Sequence, residues 1–177
     1  MAFALTGQAR YGRLAARLLV RFSEVYPRYL VHSGYGEYAD GRPDEAIRAV
    51  HEETAIKLTP PDNPQDGRIF PGYWMLGRAT AGGMEGAFLH QVALAYDLLL
   101  SAPETAGGSP PLLTAGERAR IERDLLLEGA RFVIWDPRLN NKTTKNRSAA
   151  AMIGAILGRR HLVVWGLSGF VRAVCEW

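Results

Sequence analysis

Two apolar stripes separated by a very short turn constrain this chain more than any other feature. Ala149, Met152, Ile153, Ile156 and Leu157 recur at i, i+3, i+4, i+7 and i+8, the repeat of one helical face. Gly158-Arg159-Arg160 follows, and then a second stripe of Val163, Leu167, Phe170, Val174 and Trp177. Glycine is a natural residue just past a helix end, so Gly158 should stop the first helix. A linker of this length leaves one arrangement, an antiparallel helical hairpin. The second stripe is still in phase at Trp177, and we expect its partner helices to lie in a longer protein.

Three more helices are expected upstream. Leu14, Leu18, Phe22, Val25 and Tyr29 recur at helical spacing over about 11–30, with Arg13, Arg17, Arg21 and Arg28 between them. Pro27 should kink or end that helix. A second helix is expected over about 80–100, with Met84, Phe88, Val92, Ala95 and Leu99 on one side. A third begins at Thr114, where Thr114-Ala115-Gly116-Glu117 fits a capping box. Ile121, Leu125, Phe132 and Val133 carry its core face, and Asp136-Pro137 stops it. No segment alternates as a strand does. The fold class is therefore all-α, with 1–177 as one domain.

Composition removes several function classes. No apolar run reaches the roughly 18 residues of a membrane helix, and the N-terminus lacks the pattern of a signal peptide. Cys175 is the only cysteine, which rules out an internal disulfide. The four histidines are scattered and form no metal-ligand pair. Neither a metal nor a cofactor is expected. A net charge of +3 permits an acidic partner without requiring one. Basic residues are spread among acidic ones, which argues against nucleic acid. There is no nucleophile elbow and no phosphate-binding glycine loop.

Three clusters could carry chemistry. The sharpest is the polar run 138–148, read as a loop delivering the chain into a helix N-terminus. It holds Arg138, Lys142, Lys145 and Arg147, three asparagines including Asn141 and Asn146, and no acidic residue. Free backbone N–H groups and the positive end of the macrodipole favour an anion there. The plainer reading is a solvated turn with a capping side chain. The second cluster is Tyr73, Trp74, Arg78 and Glu85, where rings would stack on sugars and charges would meet hydroxyls. Its plainer reading is a plug at the bundle end, with Arg78 and Glu85 pairing with each other. In the third, His32 and Tyr35 are proton-transfer candidates, and the plainer reading makes them hydrogen-bonded structural residues.

Asn141 and Lys145-Asn146-Arg147, entering the helix 148–158, resemble the asparagine-bearing helix start of heparinase II/III-like polysaccharide lyases and alginate lyases. Gly72-Tyr73-Trp74 and the run from Gly77-Arg78 to Tyr96-Asp97 are similar to the helical domain of the same group. The resemblance covers the chain from about residue 10 onward. It implies an incomplete α/α toroid of antiparallel helical hairpins, of which this chain would be a truncated part. It also implies β-elimination at a uronic acid in an acidic polysaccharide, and a periplasmic or secreted location. Asn146 would be the catalytic asparagine that neutralises the uronate carboxylate, with Asn141 second. Lys145, Arg147, Arg78, Tyr73, Trp74, Glu85, His32 and Tyr35 would line the substrate. Many relatives carry histidine or tryptophan where this chain has Arg147, an added partner for carboxylate or sulfate. The base and acid of the family would lie beyond Trp177. Two alternatives use the same features: a non-catalytic carbohydrate-binding or scaffold fragment, and a helical-toroid glycoside hydrolase, which needs two flanking carboxylates.

Overall fold

The computed structural model describes residues 2–33, 42–44, 76–80, 84–102, 111–134 and 143–175. These are mostly helical. A short α1 (Ala2–Thr6) turns through Gly7, whose φ of 64° is the left-handed region glycine tolerates, into α2 (Ala9–Val25). Tyr26-Pro27-Arg28 tightens into a 3₁₀ turn, so Pro27 ends the helix as expected.

The core face of α2 departs from the sequence reading. Gly12, Ala16, Leu19 and Ser23 are buried, whereas Leu14 and Leu18 are 49% and 52% exposed. Small residues explain the rotation. A Cβ on Gly12 would lie 2.8 Å from the Leu112 side chain and 3.2 Å from the Phe3 ring. The helix is approached most closely where it has least side chain, and a pattern weighted to large apolar residues selects the wrong face.

Beyond the 3₁₀ turn, β1 (His32–Ser33) pairs antiparallel with β2 (Leu76–Gly77), His32 opposite Gly77. This two-residue ladder adds to the helices a feature the sequence did not suggest. The next helix, α3 (Glu85–Leu100), starts about five residues later than expected. The amides of residues 78–80 are taken by the Glu85 side chain instead, which leaves Thr80 in a bend before the helix.

Thr114 opens α4 (Ala115–Arg120) through a complete capping box with Glu117. A π-helical stretch, Ile121–Leu127, follows directly and leads into α5 (Glu128–Ile134). The expected face is buried: Ile121, Leu125, Phe132 and Val133 all lie in the core. The expected stop at Asp136-Pro137 lies outside the described residues.

The helical hairpin forms. Helix α6 (Thr143–Ile156) ends at Gly158, with φ of 64°. Arg159 N–H reaches the Gly154 carbonyl at 2.7 Å and Gly158 N–H reaches that of Ala155 at 3.4 Å, the Schellman pattern. Helix α7 (Arg160–Cys175) then packs back on α6, which also packs on α3. Added Cβ atoms on Gly154 and Gly166 would lie 2.8 Å and 2.5 Å from the facing helix. This close approach buries Leu162 and Gly166 and leaves Leu167 56% exposed, so the stripe expected through Leu167 is corrected to one through Leu162.

Helix α6 also overturns the expected loop at 138–148 over its last six residues. Residues 143–148 are helical. Lysine and arginine are good helix formers, and polarity alone does not make a loop.

Candidate functional site

The first turn of α3 gathers four of the singled-out residues, Glu85, Arg78, Asn146 and Lys145, in its vicinity. Glu85 opens that turn and is buried to 2% exposure. Its carboxylate accepts from the backbone N–H of Arg78 at 3.0 Å, of Ala79 at 3.0 Å and of Thr80 at 3.2 Å. The Tyr26 hydroxyl donates to its other oxygen at 2.7 Å. Donors surround it on both oxygens, as a buried carboxylate requires. The expected pairing of the Arg78 and Glu85 charges is corrected: Glu85 bonds the Arg78 backbone N–H, and the guanidinium pairs with Glu128.

The Arg78 side chain does something else. Its guanidinium lies 4.5 Å from the Tyr26 ring centroid. Nε donates to the Tyr29 carbonyl at 3.0 Å, Nη2 to the Tyr26 carbonyl at 2.9 Å, and Nη1 to Glu128 at 2.8 Å. The side chain is fully buried. All three nitrogens are engaged, so Arg78 ties the end of α2 to α5. A cleft of about 560 Å³ opens beside this tie, with Arg28, Arg42 and Arg131 on its walls.

On the other side of the α3 start lies Asn146. Its Oδ1 accepts the Gly86 N–H at 3.1 Å, so a side chain of α6 satisfies a first-turn donor of α3 that has no partner within its own helix. Asn146 is 8% exposed. The contact fixes the orientation of the carboxamide: oxygen towards Gly86, N–H₂ at the opposite end. That N–H₂ has no hydrogen-bond partner among the described residues. Lys145 beside it is exposed and reaches the Met84 sulfur at 3.4 Å. Two helix N-termini, α3 and α6, thus meet around Asn146, and each directs positive potential to its own start.

Arg147 points elsewhere. It is buried, 4.2 Å from the Trp165 ring centroid, and donates to the Trp165 carbonyl at 2.6 Å. It fastens α6 to α7. His32 is placed by its backbone in the ladder opposite Gly77. Asn141, Tyr73, Trp74 and Tyr35 lie outside the described residues.

Sequence reasoning missed Tyr26, Glu128 and Trp165. Their roles depend on partners 18 to 59 residues away, and no local pattern marks such contacts. Burial, reinforced by the Glu85 and Glu128 charges, pushes the Tyr26 phenol well above its ordinary range despite the opposing Arg78. This keeps the Tyr26 hydroxyl a donor to Glu85. Tyr96 is raised too, by burial and by its hydrogen bond to Glu122.

Among the described residues no histidine, cysteine and carboxylate group could hold a metal ion, and no helix is long and apolar enough to cross a membrane. Fold and site together define a helical protein with an anchored asparagine where two helices begin. Compared with known proteins, the chain matches no family model, no curated protein and no solved structure.

Proposed function

We propose that this chain is part of a polysaccharide lyase that cleaves a uronic-acid-containing polymer by β-elimination, with α6 and α7 one hairpin of an incomplete α/α toroid. The observation that carries the reading is the anchored Asn146 carboxamide. With its oxygen held by Gly86 N–H, the N–H₂ end is set as a donor before any substrate arrives. A uronate carboxylate is the group such a donor suits. Its charge makes the neighbouring C–H poorly acidic. A hydrogen bond that strengthens as charge moves onto the carboxylate stabilises the enolate-like state. A base takes that proton, the C–O bond to the neighbouring sugar breaks, and the departing oxygen is protonated. Lys145 adds positive potential beside the same spot. Arg78, Glu85 and Arg147 act behind the site by holding the helices that form it.

The test is Asn146→Asp. It keeps the acceptor for Gly86 and removes the donor. Protein and variant are incubated with polyuronates, and the ultraviolet absorbance of the new carbon–carbon double bond is followed. Turnover should fall by about 10²–10³ with little change in melting temperature. Binding by the parent without any double bond would favour the non-catalytic carbohydrate-binding reading. Equal turnover in the variant removes Asn146 from the chemistry.

A further inference from the structure

A second basic surface lies on α2. Arg10, Arg13, Arg17 and Arg21 line an open groove of about 650 Å³, whose far wall includes Pro111, Leu112 and Glu117. Their spacing of three, four and four residues keeps all four on one helical face. At 1.5 Å per residue the stripe is about 16 Å long. The groove exists because Gly12 lets Leu112 settle against the helix.

The charges are poorly compensated. Arg21 pairs with Glu24 at 3.0 Å, and Glu24 is shared with Arg120 at 3.4 Å. Glu117 is committed to its capping box with Thr114. Arg10 lies over the Tyr11 ring at 4.7 Å. Arg13 and Arg17 are exposed and have no ion-pair partner among the described residues. Arg10 sits in the first turn of α2, which holds no acidic residue. Cations there oppose the helix dipole, so the fold gives up stability for this placement.

We infer that this groove is an interaction surface for an extended acidic polysaccharide, gripping a stretch of the polymer outside the Asn146 site; the inference rests on the polyuronate reading above. An elongated row of cations matches a polymer with evenly repeated anionic groups. The two carboxylates among the lining residues, Glu24 and Glu117, are held by Arg21 and Arg120 and by Thr114, which leaves Arg13 and Arg17 to meet the polymer's anionic groups. Among the described residues that line the groove none is aromatic, whereas single-stranded nucleic acid is usually held on stacking rings.

The experiment compares the parent, the exposed-face double variant Arg13→Gln/Arg17→Gln, and Asn146→Asp. Each is titrated with a fluorescent long polyuronate and with single-stranded DNA over a range of salt, after circular dichroism has verified the helical fold. The double variant should lose about tenfold in polyuronate affinity. Its slope of log affinity against log salt should fall by about one to two, as fewer counterions are released. Unchanged affinity and slope in the double variant overturn the groove. DNA binding tighter than polyuronate, and lost in the double variant, overturns the polysaccharide assignment. If the double variant weakens while Asn146→Asp neither weakens binding nor alters turnover, the groove stands and the Asn146 reading falls.

Discussion

Gly86 donates its backbone N–H to the Asn146 side-chain oxygen at 3.1 Å across 60 residues of sequence. The contact works only because residue 86 has no side chain. A Cβ there would lie 2.5 Å from the Asn146 backbone nitrogen and 2.6 Å from the Lys145 carbonyl carbon. Helices α3 and α6 meet at their first turns through this pair, and the pair sets how the asparagine is presented.

Gly86→Ala should therefore force α3 and α6 apart. The clash is with backbone, which cannot rotate away, and we expect a loss of about 2 kcal/mol. Thermal unfolding measures it. An unchanged melting temperature would mean the two helices are not held this closely.

Glu85→Gln preserves volume but replaces one oxygen with an N–H₂ group. Backbone N–H groups of residues 78–80 and the Tyr26 hydroxyl converge on the present carboxylate. A donor placed among donors leaves buried groups unsatisfied, and about 3 kcal/mol should be lost. Urea unfolding should show a lower midpoint with the slope preserved.

Tyr26 gives a prediction at high pH. Its phenol is held well above the ordinary 10.0 by burial first and by Glu85 next. A raised folded value means that its contribution is complete below pH 10.0 and is lost as pH climbs towards that folded value. Spectrophotometric titration of the folded protein around pH 10 should give the same tyrosinate amplitude for Tyr26→Phe as for the parent. A smaller amplitude in the variant would show that Tyr26 titrates normally.

Thr114→Ala removes the hydroxyl that accepts the Glu117 N–H at 3.2 Å and should destabilise by about 1 kcal/mol. Glu117 is held below its ordinary 4.5, chiefly by the Thr114 backbone N–H. A lowered carboxylate stabilises above its unfolded value and ceases to do so as pH falls through the folded one. The gap between parent and variant should be full at pH 7 and narrow below about pH 4.5. A gap independent of pH would mean that the Thr114 hydroxyl does not donate to the Glu117 carboxylate.

The sequence revealed local features well. The Thr114 box and the Gly158 turn each depend on a few adjacent residues, and both are present. Helix faces were harder to place. On α2 and α7 the closest packing is at Gly12 and Gly166, which a hydrophobic pattern scores as empty. Helix starts failed where a distant group intervened. The backbone of 78–80 folds around the Glu85 carboxylate rather than into a first helical turn, and the polar run 143–148 is helical where polarity suggested a loop. At the candidate site, Asn146, Lys145, Arg78 and Glu85 were visible as residue types. That Arg78 faces Glu128 and Arg147 faces Trp165 was not legible, because both depend on tertiary contacts.

The π-helical stretch Ile121–Leu127 works as a phase adjuster. Glu122 lies within it and bonds Tyr96 of α3, while Glu128, just past it, bonds Arg78. On a regular α-helix, residues six apart point about 240° away from each other; the wider turn changes that angle, and both carboxylates meet their partners. Removing one residue from this stretch would swing everything beyond it by about 100° and pull Glu128 from Arg78. Length here should thus be guarded more strictly than side-chain identity: a substitution alters one contact, whereas a single-residue deletion misaligns an entire half-helix.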